Sequence, residues 1–286
     1  MKDMAASIRT RLMNIARKEQ VPFQRILTLY KQEGLLHRIA STRYSKDIVL
    51  KGGLLFYQLQ GFIARPTKDI DLLGSQKSDS ETLLFNVLTE ACSLHIDDGL
   101  KLDSGSIDVS PITGQTDHGG VRAYITMYLG TSRTRLQIDM GFGDVITGGP
   151  IDKPYRTLLG NRSFTIKTYT DETIAAEKLE AIVSLGTVNS RYKDFYDLYE
   201  LLIKTCLADE KVVEAACNTF RNRNTALREL PESLTESYWS SENFKTNWNC
   251  YLDRIEASEP DQEQLTGKLL PRLQNIYKNI KINLKD

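Results

Sequence analysis

Asp47-Ile48-Val49-Leu50-Lys51-Gly52-Gly53, and fifteen residues later Asp69-Ile70-Asp71-Leu72-Leu73-Gly74, decide how this chain folds. The first segment is short, β-branched and closed by two glycines, which predicts a strand running into a tight turn. Leu54 to Leu59 is expected to be a helix after that turn. In the second segment Ile70 and Leu72 face one side of a strand, and Asp69 and Asp71 the other.

Working outward, residues 4–40 read as helices. Ile8, Leu12 and Ile15 recur at helical spacing, and Ile26, Leu29, Leu35 and Leu36 less regularly. Pro22 separates the two stretches, because proline suits a helix start and not its interior. Ser80 to Ser93 carries Leu83, Leu84, Val87, Leu88 and Ala91 on one helical side. Val121–Leu129 and Arg133–Met140 read as strands of a hairpin joined by Gly130-Thr131-Ser132. In the second of these, Leu136, Ile138 and Met140 share one face, and Arg135, Gln137 and Asp139 the other. Residues 141–160 hold five glycines and two prolines and read as loop. Arg162 to Lys167 is expected to be a last short strand. From Asp171 the chain reads helical almost to its end, with a first helix closed by Gly186. The resulting division is a helical segment over 1–45, a core over 46–170 and a helical domain over 171–286.

Of the 286 residues, 41% are hydrophobic and 26% charged, which is ordinary globular composition. No apolar run approaches the roughly 18 residues of a membrane span. No secretory h-region follows the N-terminus, so a cytoplasmic location is expected. Cys92, Cys206, Cys217 and Cys250 are widely spaced and suggest a reducing compartment, with each cysteine buried or inert. Three histidines, His37, His95 and His118, disfavour a histidine zinc site, and His95 and His118 read as surface or loop residues. Lysines plus arginines equal aspartates plus glutamates at 37, so whole-protein charge does not point to nucleic acid. The distribution is uneven: residues 1–50 carry ten basic against four acidic, residues 268–286 five against one, and residues 207–263 six against twelve. Two basic ends fit either solvated helix faces or the flanks of a nucleic-acid groove.

The chemistry lies in the opening segments. Carboxylates at i and i+2 of a strand project from one face about 7 Å apart. Such anions suit a cation between them, and Mg²⁺ prefers carboxylate and phosphate oxygens. A Gly52-Gly53 turn before a helix leaves backbone N–H groups open to a phosphate. If the strand of Asp139 neighbours Asp69-Ile70-Asp71, three carboxylates meet, and two Mg²⁺ ions can serve an in-line displacement at phosphorus. Lys178 stands beside a stripe of Ile174, Ala181, Ile182 and Leu185, where it can meet a phosphate or a neighbouring acid. Arg191 to Leu202 reads as an amphipathic helix with Phe195, Leu198, Tyr199 and Leu202 inward, and Asp194 and Asp197 on another face. Arg65 can reach phosphate or pair with an acid. Tyr192, Tyr196, Tyr199, Trp239 and Trp248 read as packing residues.

Leu50-Lys-Gly-Gly-Leu54, Arg65-Pro-Thr-Lys-Asp-Ile-Asp-Leu72, Leu136-Gln-Ile-Asp-Met-Gly-Phe-Gly-Asp144, Ala175-Ala-Glu-Lys-Leu-Glu-Ala181 and Arg191-Tyr-Lys-Asp-Phe-Tyr-Asp-Leu198 occur in that order. Together they resemble the AbiEii/AbiGii nucleotidyltransferase toxin family of the DNA polymerase β superfamily, over roughly residues 25–205. The resemblance implies an α+β fold. A polymerase-β-like core with a mixed β-sheet would be flanked by an N-terminal helical segment and a C-terminal helical domain. It also implies a toxin of a bacterial toxin–antitoxin or phage-abortive-infection system, with a cognate antitoxin as partner. The carried-over roles are phosphate gripping for Gly52 and Gly53 and metal binding and catalysis for Asp69, Asp71 and Asp139. Lys178 is implied as a triphosphate contact, and Asp194 as a residue that positions Lys178 or the nucleotide. Asp197 is then expected to pair with Arg191. Leu54 departs from the family, which often has Thr or Ser there, so one phosphate-binding hydroxyl is missing.

The function so implied is Mg²⁺- or Mn²⁺-dependent transfer of a nucleoside monophosphate from a nucleoside triphosphate to RNA, at a tRNA 3′ end, with release of pyrophosphate. A protein or small-molecule acceptor, or nucleotide binding without turnover, stand as alternatives.

Overall fold

A computed structural model describes residues 4–75, 80–112, 119–160, 163–186 and 191–285. His118 lies outside them. The chain divides into two compact units, Met1–Gly143 with Pro150–Thr168, and Asp144–Gly149 with Tyr169–Asp286. No helix among the described residues is long and apolar enough to cross a membrane.

The first unit opens with helices α1 (Met4–Lys18) and α2 (Phe23–Ala40), with Pro22 as the residue before α2. Strand β1 (Ile48–Lys51) runs through Gly52 into α3 (Gly53–Gln60), and β2 (Asp69–Gly74) is followed by α4 (Ser80–Ser93). Strands β3 (Leu100–Ile112), β4 (Gly120–Leu129), β5 (Ser132–Phe142), β6 (Ile151–Arg156) and β7 (Ser163–Thr168) complete one seven-stranded sheet in the order β3-β4-β5-β2-β1-β7-β6. It is mixed: β2–β5 and β1–β7 are parallel and the other pairs antiparallel.

Register sorts the side chains. Leu50, Leu72, Met140 and Val121 are successive partners across four strands, and Ile70, Ile138 and Ala123 form the next row. All seven are buried. Each large aliphatic side chain so placed contributes about 1.5–3 kcal/mol. Helix α4 packs on β3 and β4, and α2 on α4 and β7. Inside this layer Arg38 and Asp98 form a buried ion pair, with Nη1–Oδ2 at 2.6 Å and Nη2–Oδ1 at 3.0 Å. Gly34 is needed beside it, because a Cβ there would meet Leu100 Cδ1 at 2.1 Å.

Two expectations need correction. Residues 141–160 are not all loop, since Ile151–Arg156 is strand β6. It lies at the sheet edge, the place where Pro154 can omit a ladder donor. The amide of Gln58 bonds Arg156 on both backbone groups at 3.0 and 2.9 Å and takes the place of a further strand. The β4–β5 turn holds two residues, not three, for Leu129 pairs with Ser132, and Gly130 takes the positive φ of 57° that a two-residue turn requires.

The second unit is helical: α5 (Asp171–Leu185), α6 (Tyr192–Leu198) continuing as a wider-turn helix over Tyr199–Lys204, α7 (Asp209–Asn222), α8 (Glu236–Ser240), α9 (Glu242–Ile255), a short α10 (Gln262–Gln264) and α11 (Leu270–Lys285). Thr170 caps α5 by accepting from Thr173 N–H, and Gly186 ends it at φ 58°. Trp239, Phe244 and Trp248 are fully buried and stack at 5.5 and 6.3 Å. Tyr192, Tyr196 and Tyr199 are buried too, so these aromatics are packing residues. Cys217 is buried, Cys92 is half-buried, and Cys206 and Cys250 are exposed.

Candidate functional site

The face of the sheet opposite the aliphatic rows is polar. Lys51, Asp71, Asp139, Arg122 and Ser110 are successive partners from β1 through β2, β5 and β4 to β3. The next row is Asp69, Gln137, Tyr124 and Asp108. The strand of Asp139 therefore neighbours Asp69-Ile70-Asp71, which is the condition under which the three carboxylates share one face. Asp69, Asp71 and Asp139 are all partly exposed.

Gly52 closes this row from behind. At φ 70° it adopts a backbone that favours glycine, and a Cβ there would lie 2.0 Å from Asp71 Oδ2. A Cβ on Gly53 would meet Thr67 Oγ1 at 2.6 Å. The two glycines are thus required by the close approach of the Asp71 and Thr67 side chains. No side chain caps α3, so its first N–H groups are left for water or an anion. Leu54, where the family often has a hydroxyl, is buried in the first turn of α3. Arg65 is half-buried in the link leading to β2.

Asp139 is paired within the sheet. Arg122 donates to it through Nε at 2.8 Å and Nη2 at 2.7 Å, and Gln137 Nε2 lies 3.2 and 3.1 Å from its two oxygens. The third carboxylate is held by a guanidinium. Among the described residues no three aspartates, glutamates, histidines or cysteines converge as a metal-holding group. Asp69 and Asp71 fit a hard divalent cation by donor type, and Asp139 can join them only after leaving Arg122. Arg122 is the residue sequence reading missed. A three-residue turn would pair Asp139 with Ala123, whereas the two-residue turn pairs it with Arg122. Lys51 was also given no role, yet it is the cross-strand partner of Asp71, and its ammonium lies 3.7 Å from where a Gly141 Cβ would stand.

Lys178 and Asp194 lie in the helical unit. Lys178 Nζ reaches Asp194 Oδ1 at 3.1 Å and Asp197 Oδ2 at 2.5 Å. Both carboxylates are 1% exposed, and Lys178 is 11% exposed. Arg191 pairs with Asp194. The expected Arg191–Asp197 pair is therefore replaced: Arg191 takes Asp194, and Lys178 bridges both acids. Burial pushes the Asp194 carboxyl up, but Lys178 and Arg191 outweigh it and hold it at about 2. A second cluster in this unit centres on Arg223, which meets Asp144 at 2.8 Å, Glu177 at 3.2 Å and Glu180 at 2.7 Å.

The first unit is thus a mixed sheet that sets Asp71 beside Asp139, with Gly52 leading from β1 into α3. Two crystal structures share the fold. A Helicobacter pylori protein carrying a provisional nucleotidyltransferase name is 16% identical, with a TM-score of 0.54 and 92% of this chain matched to 99% of that one. JHP933 from Helicobacter pylori is also 16% identical, with a TM-score of 0.52 and coverage of 91% and 94%. At that identity the likeness is one of fold. No curated protein matches the chain. The family described as nucleotidyl transferase AbiEii toxin, Type IV TA system, matches residues 34–279, and the chain belongs to it. It is thus an enzyme of the nucleotidyltransferase class and a toxin-family member. Membership brings with it a nucleotide substrate and an antitoxin partner.

Proposed function

We propose that this toxin transfers a nucleoside monophosphate from a nucleoside triphosphate to the 3′ end of an RNA, with tRNA as the acceptor, and that the reaction depends on Mg²⁺ or Mn²⁺. The observation that carries the reading is the row Asp71–Asp139 on two adjacent parallel strands, with Asp69 on the same face and Gly52 against Asp71.

The roles follow from position. The first N–H groups of α3 after Gly52 and Gly53 bind phosphate oxygens. Asp69 and Asp71 hold the divalent cation, which when bound neutralises charge on the triphosphate and lowers the pKa of the attacking hydroxyl. The acceptor hydroxyl oxygen bonds to the α-phosphorus, the bond to the bridging oxygen of pyrophosphate breaks, and pyrophosphate leaves. Asp139, turned away from Arg122, takes the hydroxyl proton. Arg122 is then a free guanidinium beside the reacting phosphates, suited to bidentate contact. Arg65 completes the proposed nucleotide contacts of the first unit, and in the helical unit the ion pairs of Lys178 with Asp194 and Asp197 give that lysine a structural task.

A net charge of zero exerts no whole-surface pull on RNA, which keeps transfer to a protein or a small molecule as the second reading. The nature of the labelled product separates them. Label from an α-labelled nucleoside triphosphate that is removed by RNase and not by protease supports the RNA reading. Label that resists RNase contradicts it.

A further inference from the structure

A groove of about 610 Å³ runs between α1 and the β4–β5 turn, lined by Arg9, Met13, Asn14, Arg17, Phe23 and the Gly130-Thr131 turn. We infer that it holds the sugar-phosphate backbone of the RNA acceptor, an inference that rests on the RNA reading above. Helix α1 precedes residues 34–279, the span of the family match, so the groove depends on a part of this chain which that match does not include.

Arg9 and Arg17 stand on one face of α1, eight residues and about 12 Å apart along the axis. Among the described residues neither has a carboxylate partner. Neighbouring basic residues are already engaged: Arg11 donates to Leu159 O and Lys18 pairs with Glu19. Beneath the turn Lys31 is buried, and its ammonium donates to Ser132 O at 2.9 Å, Ser132 Oγ at 3.0 Å and Thr134 Oγ1 at 2.6 Å. These acceptors are neutral, so they leave the lysine charge in place. Burial, together with the charge of Arg9, lowers the Lys31 pKa to about 8. Among the described residues, the lining of the groove is thus positive and holds no acid, within a stretch of ten basic and four acidic residues.

Its other walls suit the same occupant. Asn14 and the exposed Thr131 offer hydrogen bonds, and the half-buried Met13 and Phe23 offer apolar surface to a ribose or base. An acidic protein would meet the charge but would gain less from this spacing of two cations along one helix. Strand β5 runs from Ser132, beside the groove, to Asp139, a path of about 23 Å. An RNA seated here has its body several nucleotides from the reacting end.

The test is tRNA binding by fluorescence anisotropy across a salt series without nucleoside triphosphate, with transfer measured in parallel. The variants are Arg9→Glu/Arg17→Glu, the milder Arg9→Gln/Arg17→Gln, and a Lys211→Glu/Lys268→Glu control on the exposed face of the other unit. The groove variants are expected to bind at least tenfold more weakly. Their log K against log salt slope should be shallower by about 1.5, the loss of two phosphate contacts. The control should bind as the wild type does, and thermal stabilisation by nucleoside triphosphate should persist in all. Wild-type affinity and slope in a folded groove variant would overturn the inference while leaving the RNA reading intact. Equal weakening by the control would overturn it as a bulk-charge effect. Transfer to a non-RNA acceptor, with no RNA binding by the wild type, would remove both the occupant and the RNA reading.

Discussion

Replacing Lys178 by methionine separates its two possible tasks. The lysine bridges Asp194 and Asp197 at 3.1 and 2.5 Å, and both acids are 1% exposed. Removing it leaves Arg191 on Asp194 and takes the ammonium from Asp197. Breaking a buried pair on one side costs about 3–5 kcal/mol. The Asp194 carboxyl gives an independent scale: holding it at about 2, below its usual 3.8, is worth about 2 kcal/mol. We expect Lys178→Met to lose about 3 kcal/mol at pH 7, a fall in Tm of about 10 °C, read by calorimetry and by denaturant titration. The sign with pH follows. A depressed carboxyl stabilises the fold above its unfolded value near 4, and that contribution fades as pH falls toward 2, so the gap between wild type and variant should narrow there. Lys178→Met/Asp197→Asn should recover at least half of the loss. A change below about 1 kcal/mol, with the KM for nucleoside triphosphate raised, would refute the structural role and leave only a phosphate contact.

Glu33 is buried and accepts Leu158 N–H at 3.1 and 3.0 Å, and burial raises its pKa to about 8 despite that hydrogen bond. The folded protein therefore holds a proton that the unfolded chain has lost, and stability should decline as pH rises from about 4.5 to 8; Glu33→Gln should flatten that decline and gain a few kcal/mol at pH 8 by denaturant titration. Gly52→Ala places a Cβ 2.0 Å from Asp71 Oδ2 at φ 70° and should cost about 2–4 kcal/mol and most of the transfer activity; a fully active, stable variant would contradict the packing role. Arg122→Met removes a pair in which the arginine is 37% exposed, so global stability should change by no more than about 1 kcal/mol. Freed from it, Asp139 should need a few-fold less Mg²⁺ for half-maximal transfer, and an unchanged Mg²⁺ requirement would show that the pair does not restrain Asp139.

Much of the first unit was legible because its strands are covered on one face. Ile70 and Leu72 alternate with Asp69 and Asp71, and Ile138 and Met140 with Gln137 and Asp139, so the polar rows follow once the strands pair. Strand β6 escaped, because Pro154 and the surrounding glycines read as breakers and only its edge position makes it a strand. Arg122 escaped because one residue of turn length decides which side of β4 faces Asp139. A contact of Lys178 with Asp194 was expected, but its reach to Asp197 as well escaped for another reason. Their spacing of three places both acids on one helix face, but whether water or a lysine from α5 meets that face depends on how the two consecutive helices pack.

The central claim is the reaction itself. Purified protein should be mixed with bacterial total RNA, Mg²⁺ and each α-labelled nucleoside triphosphate in turn, beside Asp69→Ala/Asp71→Ala. A labelled band of tRNA size, formed by the wild type and absent from the variant, is the predicted result. No label on RNA with any of the four nucleotides, or equal labelling by the variant, would contradict the account.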